Sequence, residues 1–469
     1  MSLTRALPLF LIFLLTLVAS AQTQQADQAK IEEETMRHFQ AILRIDTSNP
    51  PGNESQVVAY LKSVLDGEGI ETKIFANDPK RANLVARLRG NGKKRPVLIM
   101  GHTDVVKVDP VKWTHPPFSA TREGGYVYGR GTVDDKDNVV ACLMVMLQLK
   151  RMNVQLDRDV IFLAEAGEEA STQFGIAFMV ENHWPEIDAE FCFAEGGGVT
   201  RTDGKIRFAT VQTSEKIPYG VTLTARGPAG HGSVPLRTNS IVHLSQAIAK
   251  LSAWSTPMRL NDTTKAYFER LAAISSPEEA NRYRNLANSE MTAAIQEYFA
   301  VNEPRHHSML RTSISPNIIK GGYQVNVIPS EAEATLDVRA LPDENMETLL
   351  AEIRKVISDP AVTVSRNERN TRPGARPSRI DVEAFRVVET AVKQHYNAVT
   401  LPTMSTGATD MAYLRAKGVE CYGVGPMTDS EDGPKGFGAH SDQERILEES
   451  LHKFVRFHWD IVVNLARAK

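Results

Sequence analysis

Gly129-Arg130-Gly131-Thr132-Val133-Asp134-Asp135-Lys136 is the stretch around which the chain is organised. Two glycines flank an arginine, two carboxylates follow, and a dense apolar run begins at Val139. The glycines permit a tight turn and close backbone approach. Taken alone, the aspartates would read as a helix N-cap, for which Asp is a preferred residue. Their neighbours point elsewhere. Upstream stands His102-Thr103-Asp104, and downstream stand Glu168-Glu169, Glu195 and His440. A short apolar run precedes each of the first three sites: Val97 to Met100, Val160 to Leu163 and Phe191 to Ala194, the last entering Glu195-Gly196-Gly197-Gly198. Continuous runs of this kind, alternating with helical patterns, predict strands of a mostly parallel sheet buried on both faces. Ligands of such sheets bind beyond the carboxyl ends of the strands. The metal-type side chains therefore converge on one edge.

Outward from this centre, residues 1–21 read as a signal peptide. Arg5 supplies the positive n-region, Leu7 to Val18 the apolar h-region, and Ala19-Ser20-Ala21 the cleavage site. The apolar run is short for the ~20 residues of a membrane span. The expectation is a secreted or periplasmic protein with no stable membrane span after cleavage. The 469 residues allow two or three domains. A net charge of −3 and the lack of a long basic stripe argue against nucleic acid as a partner. Cys142, Cys192 and Cys421 are too few for a disulfide framework. Cys142 and Cys192 sit in apolar runs and read as buried thiols.

Helices and strands alternate from Ala29 to about Val211, with amphipathic helices near Glu32 to Leu43 and Ser55 to Leu65 and a strand from Asn83. The segment Trp113 to Phe118 reads as a rigid loop, and its His115 is not expected to be a ligand. A second unit opens near Gly220, where Val221 to Ala225 alternates as a half-buried strand. It continues as a turn holding His231, a helix through Ile241 to Leu251, two strands, a helix over 346–357 and a last strand near Val362. That order, β-α-β-β-α-β, is the split βαβ, ferredoxin-like arrangement. A helix-rich, polar interruption at about 255–311, anchored by Tyr267, Phe268 and Leu271, reads as an insertion in this smaller unit. The doubly wound pattern resumes from about Pro377. The expected fold is thus α/β: a doubly wound, mostly parallel catalytic domain (22–212 and 376–469) holding an inserted α+β ferredoxin-like domain (213–375).

Together, His102-x-Asp104, Gly129-Arg-Gly-x-x-Asp134-Asp-Lys136, Glu168-Glu169, Glu195-Gly-Gly-Gly and Gly438-Ala-His440 resemble the M20 family of co-catalytic zinc peptidases. That family includes glutamate carboxypeptidase, aminoacylase-1, the succinyl-diaminopimelate desuccinylases and carboxypeptidase S. The resemblance spans nearly the whole mature chain, and the Glu195-Gly-Gly-Gly form looks most like the carboxypeptidase S and N-acyl-amino-acid hydrolase branch. It implies two Zn2+ per chain, with Co2+ or Mn2+ as alternatives. It assigns Asp134 as the bridging ligand, His102 and Glu195 to one ion, and Glu169 and His440 to the other. Two ions ~3.5–4 Å apart can clamp the attacking and departing oxygens of a hydrolysis, and His and carboxylate ligands suit zinc.

The same resemblance makes Glu168 the general base and implies a cis peptide at Asp134–Asp135. Asp104, two residues beyond His102, fits an orienting role toward that imidazole. His231, between glycines, matches an oxyanion-stabilising histidine that often acts from a partner subunit. Asn326 and Arg339 match residues that hold a substrate carboxylate. Arg339 can equally form a surface ion pair with Asp337. Gly407-Ala-Thr409-Asp410 matches a substrate loop without assigning a contact. The expected function is hydrolysis of an amide in small peptides or N-acyl amino acids bearing a free C-terminal carboxylate. An aminoacylase with little action on peptides is the alternative, and a catalytically silent peptide-binding protein is a more remote one. Homodimer formation, and whether His231 acts in cis or in trans, are left open.

Overall fold

The structure is a computed structural model that describes residues 27–367 and 371–469. The expected signal peptide lies outside the described residues. Among the described residues, no helix is long and apolar enough to cross a membrane.

A ten-stranded sheet forms the larger layer. Its centre is a parallel block in the order Val160–Glu165, Val97–His102, Phe191–Ala194 and Glu420–Gly423. Antiparallel pairing takes over on both sides, through Asn83–Leu88 next to Val160–Glu165 and through Lys205–Glu215 next to Glu420–Gly423. The apolar runs are continuous because both faces are covered. Val97 and Ile99 join Val139, Leu143, Val388 and Phe454 in a core on one face. Leu98 and Met100 join Ile176, Met179, Met411 and Leu414 on the other. The α/β class is as expected, and the antiparallel flanks are the departure from a wholly wound sheet. They arise where strands such as Gly198–Thr202 and Lys205–Glu215 follow each other through tight turns and need no helical crossover.

A separate four-stranded antiparallel sheet has the order Ser313–Gly321, Glu331–Ala340, Ile217–Arg226 and Val362–Asn367. Along Glu331–Ala340, Ala332, Ala334, Leu336, Val338 and Ala340 are buried in strict alternation. They meet Leu244 and Leu251 from helix Ser240–Ser252 and Leu349 and Ile353 from helix Met346–Ile357. Helix and strand succeed one another in the split βαβ order read from the sequence.

The polar interruption folds as four helices between Asp262 and Met309. It does not close on the smaller unit alone. Tyr267, Phe268 and Leu271 pack with Leu401 and Met404 of Thr400–Ser405, a strand that among the described residues pairs only with Lys205–Glu215 in the large sheet. The helices therefore cover apolar side chains that this outlying strand would otherwise expose.

Candidate metal centre and active-site cleft

The parallel strands run out at one edge, and there the singled-out side chains collect. His102 is the last residue of its strand, while Glu168, Glu169 and Glu195 follow the ends of Val160–Glu165 and Phe191–Ala194. Two groups of ligand-type atoms result, His102 with Asp134 and Glu195, and Asp134 with Glu169 and His440. Asp134 belongs to both. Its Oδ1 lies 3.0 Å from His102 Nε2, and its Oδ2 lies 3.2 Å from His440 Nε2. Glu195 Oε2 is 3.9 Å from His102 Nε2, and Glu169 Oε2 is 3.0 Å from His440 Nε2.

The donor set fits a pair of cations. His102 Nδ1–H donates to the Asp104 carbonyl at 3.0 Å, which leaves Nε2 as the atom aimed at Asp134 and Glu195. Burial opposes a charge on this imidazole, yet Asp104 and Asp134 push it well above the usual histidine range, so the oxygens around Nε2 favour positive charge, which a cation can supply in place of a proton. The surrounding acids say the same. Burial, reinforced by Glu168 and outweighing His102, pushes the Glu195 carboxyl well up. Burial pushes the Asp135 carboxyl up to about 7, opposed by His102 and aided by Asp134. Crowded carboxylates deprived of water favour cations of high charge.

The scaffold around these groups is built from backbone donors and distant partners. The peptide bond Asp134–Asp135 is cis. Asp135 Oδ2 accepts from the His102 backbone N–H at 3.1 Å, and Asp135 Oδ1 accepts from Asn138 Nδ2 at 2.8 Å. A side chain at position 101 would press on Asp135 Oδ2 and Val139, which explains Gly101. Asp104 Oδ1 accepts from the Glu168 N–H (3.2 Å), and its Oδ2 from the Glu169 N–H (3.1 Å) and Asn49 Nδ2 (2.7 Å). Its Oδ1 also lies 3.4 Å from His102 Nδ1. Glu444 holds the organising loop to the His440 segment: its carboxylate accepts from Arg130 Nη1 (2.9 Å), the Gly131 N–H (3.0 Å) and the Val133 N–H (2.7 Å). Gly131 has φ +90°, a conformation that only glycine takes at little cost.

Sequence reasoning missed Asn49, Arg372 and Glu444. Arg372 is buried and pairs with the Glu168 carboxylate, lies 3.2 Å from Asp410 Oδ1, and donates from Nε to the Thr409 carbonyl at 3.1 Å. Burial pushes the Glu168 carboxyl up to about 8, with Arg372 pulling the other way. The only sequence signal for Glu444 was a carboxylate close after His440.

The remaining candidates divide. Arg339 lines a cavity of about 360 Å3 with Glu168, Glu169, Arg372 and His440, and its Nε donates to Asp337 at 2.9 Å. Arg339 thus lines the cleft while paired with Asp337. His231 and Asn326 come together elsewhere. Gly230–His231 pairs with Val327–Ile328, and the Gly232 N–H donates to the Asn326 carbonyl at 2.8 Å. Both residues are exposed, and neither lines the cavities that hold the metal-type groups. His231 Nδ1 accepts from the Ser233 N–H at 3.2 Å and lies 2.7 Å from Ser233 Oγ. His115 lies apart, 3.1 Å from Glu123, and all three cysteines are free and buried.

Comparison with known proteins agrees with this arrangement. Residues 98–464 match the model of Peptidase family M20/M25/M40. The chain is 27% identical over 386 residues to a probable carboxypeptidase S-like 2 of Dictyostelium discoideum, covering 79% of this chain and 72% of that one. It is 25% identical over 378 residues to the human N-fatty-acyl-amino acid synthase/hydrolase PM20D1, covering 79% and 74%. Among solved structures, the M20 family metallo-carboxypeptidase Sso-CP2 from Sulfolobus solfataricus shares the fold with a TM-score of 0.68 at 18% identity, over 92% of this chain and 98% of that one. With the family's model matched over most of its length, and its expected ligand types gathered at one sheet edge, the chain is a hydrolase that belongs to peptidase family M20/M25/M40.

Proposed function

We propose that this protein is an exported dizinc hydrolase that cleaves the amide bond of small peptides or N-acyl amino acids carrying a free C-terminal carboxylate. The observation that carries this reading is Asp134, whose two oxygens face different histidines, each accompanied by a further carboxylate. His102, Asp134 and Glu195 would hold one ion, and Asp134, Glu169 and His440 the other. A structural relative from Bacillus subtilis, YXEP, is described as a dinuclear metal binding peptidase (TM-score 0.57, 13% identity). When bound, two zinc ions supply Lewis-acid polarisation of the scissile carbonyl and activation of water.

The chain's own residues do the rest. Glu168 takes a proton from the attacking water and passes it to the departing amine nitrogen, a role worth about 10²–10⁴-fold. Asp104 fixes the tautomer of His102 and, through its bonds to two successive N–H groups, the position of Glu168 and Glu169. Arg339 receives the substrate's carboxylate as a charge-assisted pair. We assign residues 22–212 and 376–469 to the catalytic domain and 213–375 to a lid that presents His231 and Asn326.

Two copies would bring these two residues to the cleft. Among the described residues the outer strand Ser313–Gly321 leaves one edge unpaired, with Ile318 51% and Ile319 62% exposed, and Ile241 and Val242 are partly exposed on the helix packed beside it. An apolar sheet edge of this kind is suited to pairing with a second chain. His231 Nε2–H from the partner would then stabilise the oxyanion.

The test is hydrolysis of dipeptides and N-acyl amino acids that share a C-terminal residue, by the mature protein with zinc, beside Glu168→Ala. Release of the amino acid that disappears in the variant is the expected result, and the ratio between the two sets separates peptidase from aminoacylase. Two metals bound per chain without release from either set would replace catalysis with peptide binding.

A further inference from the structure

The cleft has two compartments that share the wall formed by Gly407, Ala408 and His440. One, of about 360 Å3, contains Glu168 and Arg339. The other, of about 550 Å3, contains Asp134, Glu195, Gln212 and the turn 405–409. Under the hydrolase reading above, on which this inference rests, Glu168 must reach the departing amine. The amine half of the substrate therefore occupies the compartment of Glu168 and Arg339, and the acyl half occupies the larger one.

Arg305 lines that larger compartment and, among the described residues, is the only arginine or lysine that does. It stands on the short helix Pro304–Met309, at the end of the helical segment that packs on Thr400–Ser405. Its guanidinium is exposed, and among the described residues it forms no ion pair or hydrogen bond, not even with Asp134, Asp135, Asp137 or Glu195 of the same compartment. The walls are poor in hydrocarbon. Apart from two alanines, Val133, Val424 and Pro426 are the apolar residues, and among the described residues no phenylalanine, tyrosine, tryptophan, leucine, isoleucine or methionine side chain lines the space. Sites that bury long apolar ligands are lined mainly by such side chains.

We propose that Arg305 is a specificity-determining residue that receives a carboxylate at the far end of the acyl half. The favoured substrates are then N-acyl amino acids or peptides whose acyl part carries its own negative charge. A guanidinium is the side chain best shaped for bidentate pairing with a carboxylate. Arg339 and Arg305 grip the two ends of one substrate across the metal groups. The helical segment between Asp262 and Met309 thereby gains a role: its docking on the large sheet carries Arg305 to the cleft.

The experiment compares N-succinyl-alanine with N-butyryl-alanine, acyl chains of equal carbon count that differ in terminal charge. kcat/KM is measured with zinc for the unaltered protein, Arg305→Gln and Arg305→Lys. Binding of both compounds to Glu168→Gln, with and without Arg305→Gln, is measured by calorimetry. The succinyl compound should be preferred by about ten- to a hundredfold. That ratio should collapse in Arg305→Gln and partly return in Arg305→Lys. A ratio near one in the unaltered protein, or one that Arg305→Gln leaves unmoved, overturns the proposal while leaving amide hydrolysis standing. If neither compound is cleaved but Glu168→Gln still selects the succinyl compound through Arg305, the hydrolase reading fails and the Arg305 assignment survives.

Discussion

Asp104 shows how much of this site rests on one side chain. Its carboxylate accepts from Asn49 and from the successive N–H groups of Glu168 and Glu169, and it lies 3.4 Å from His102 Nδ1. Asp104→Asn keeps the shape but turns one acceptor into a donor facing N–H groups and removes the charge that steadies His102. We expect zinc affinity and kcat/KM to fall by about 10–100-fold, read by metal titration and steady-state kinetics on the folded variant. A variant with unchanged metal affinity would leave Asp104 as a loop-capping residue. The site was legible to different depths in the sequence. His102, Glu168–Glu169 and Glu195 follow strand-like runs, and together with Asp134 and His440 they form the short ordered motifs that carry the family resemblance. Asn49, Arg372 and Glu444 have no such pattern. Asn49 lies 55 residues from Asp104, Arg372 lies 204 from Glu168, and Glu444 lies 314 from Arg130. A partner at that distance becomes visible only when the sheet edge assembles.

Elements explain why local sequence predicted the framework better than its flanks. Val97–His102 and Val160–Glu165 are buried throughout, so uninterrupted apolar runs identified them without any knowledge of their neighbours. After Phe191–Ala194, the glycines of 196–198 are there for clearance: a Cβ on Gly197 would collide with the carbonyls of Gly423 and Thr210. The helical segment at 262–309 was legible as helices but not in its placement, because its apolar anchors match any uncovered surface equally well. The final helix, Glu448–Ala466, hides another feature from sequence. His458 is fully buried beside Phe454, ring centroids 5.5 Å apart, and burial pushes its imidazole down to about 4. The folded chain thus resists a proton that the unfolded chain accepts near pH 6.5. The stabilisation is complete above about pH 6.5 and is lost as pH falls toward about 4, for a total of ~3 kcal/mol. Denaturant unfolding at pH 7.5 and 4.5 should show the unaltered protein losing about 2–3 kcal/mol more than His458→Leu. Metal release at low pH affects both proteins and cancels in the difference. Parallel losses would mean that the histidine gains its proton without unfolding.

For the whole molecule, the placement of His231 and Asn326 is the decisive matter. His231 sits on the small two-stranded ribbon and Asn326 directly precedes its second strand, both exposed and outside the cavities that gather the metal-type groups. The same unit presents an unpaired edge with exposed Ile318 and Ile319, and Tyr323 and Val325 on the adjoining turn are 82% and 101% exposed. Apolar exposure of this density on one sheet edge is characteristic of an interface. If two chains meet there, each cleft is completed by the other chain's lid. A mixing experiment separates this arrangement from one in which a single chain closes on itself. His231→Ala retains Glu168, and Glu168→Ala retains His231, so each variant alone should be nearly inactive. In a mixed dimer the His231→Ala chain keeps its metal ligands and base and borrows the missing imidazole from its partner. The other cleft stays dead. Random reassociation of equal amounts makes half the dimers mixed, with one working cleft in each, so about one quarter of the unaltered activity should return. Recovery should follow the kinetics of subunit exchange and vanish when Ile319→Lys is placed in both chains to block the edge. If the mixture stays as inactive as its components while co-purification of differently tagged chains confirms mixed dimers, His231 serves its own chain and the lid must close in cis.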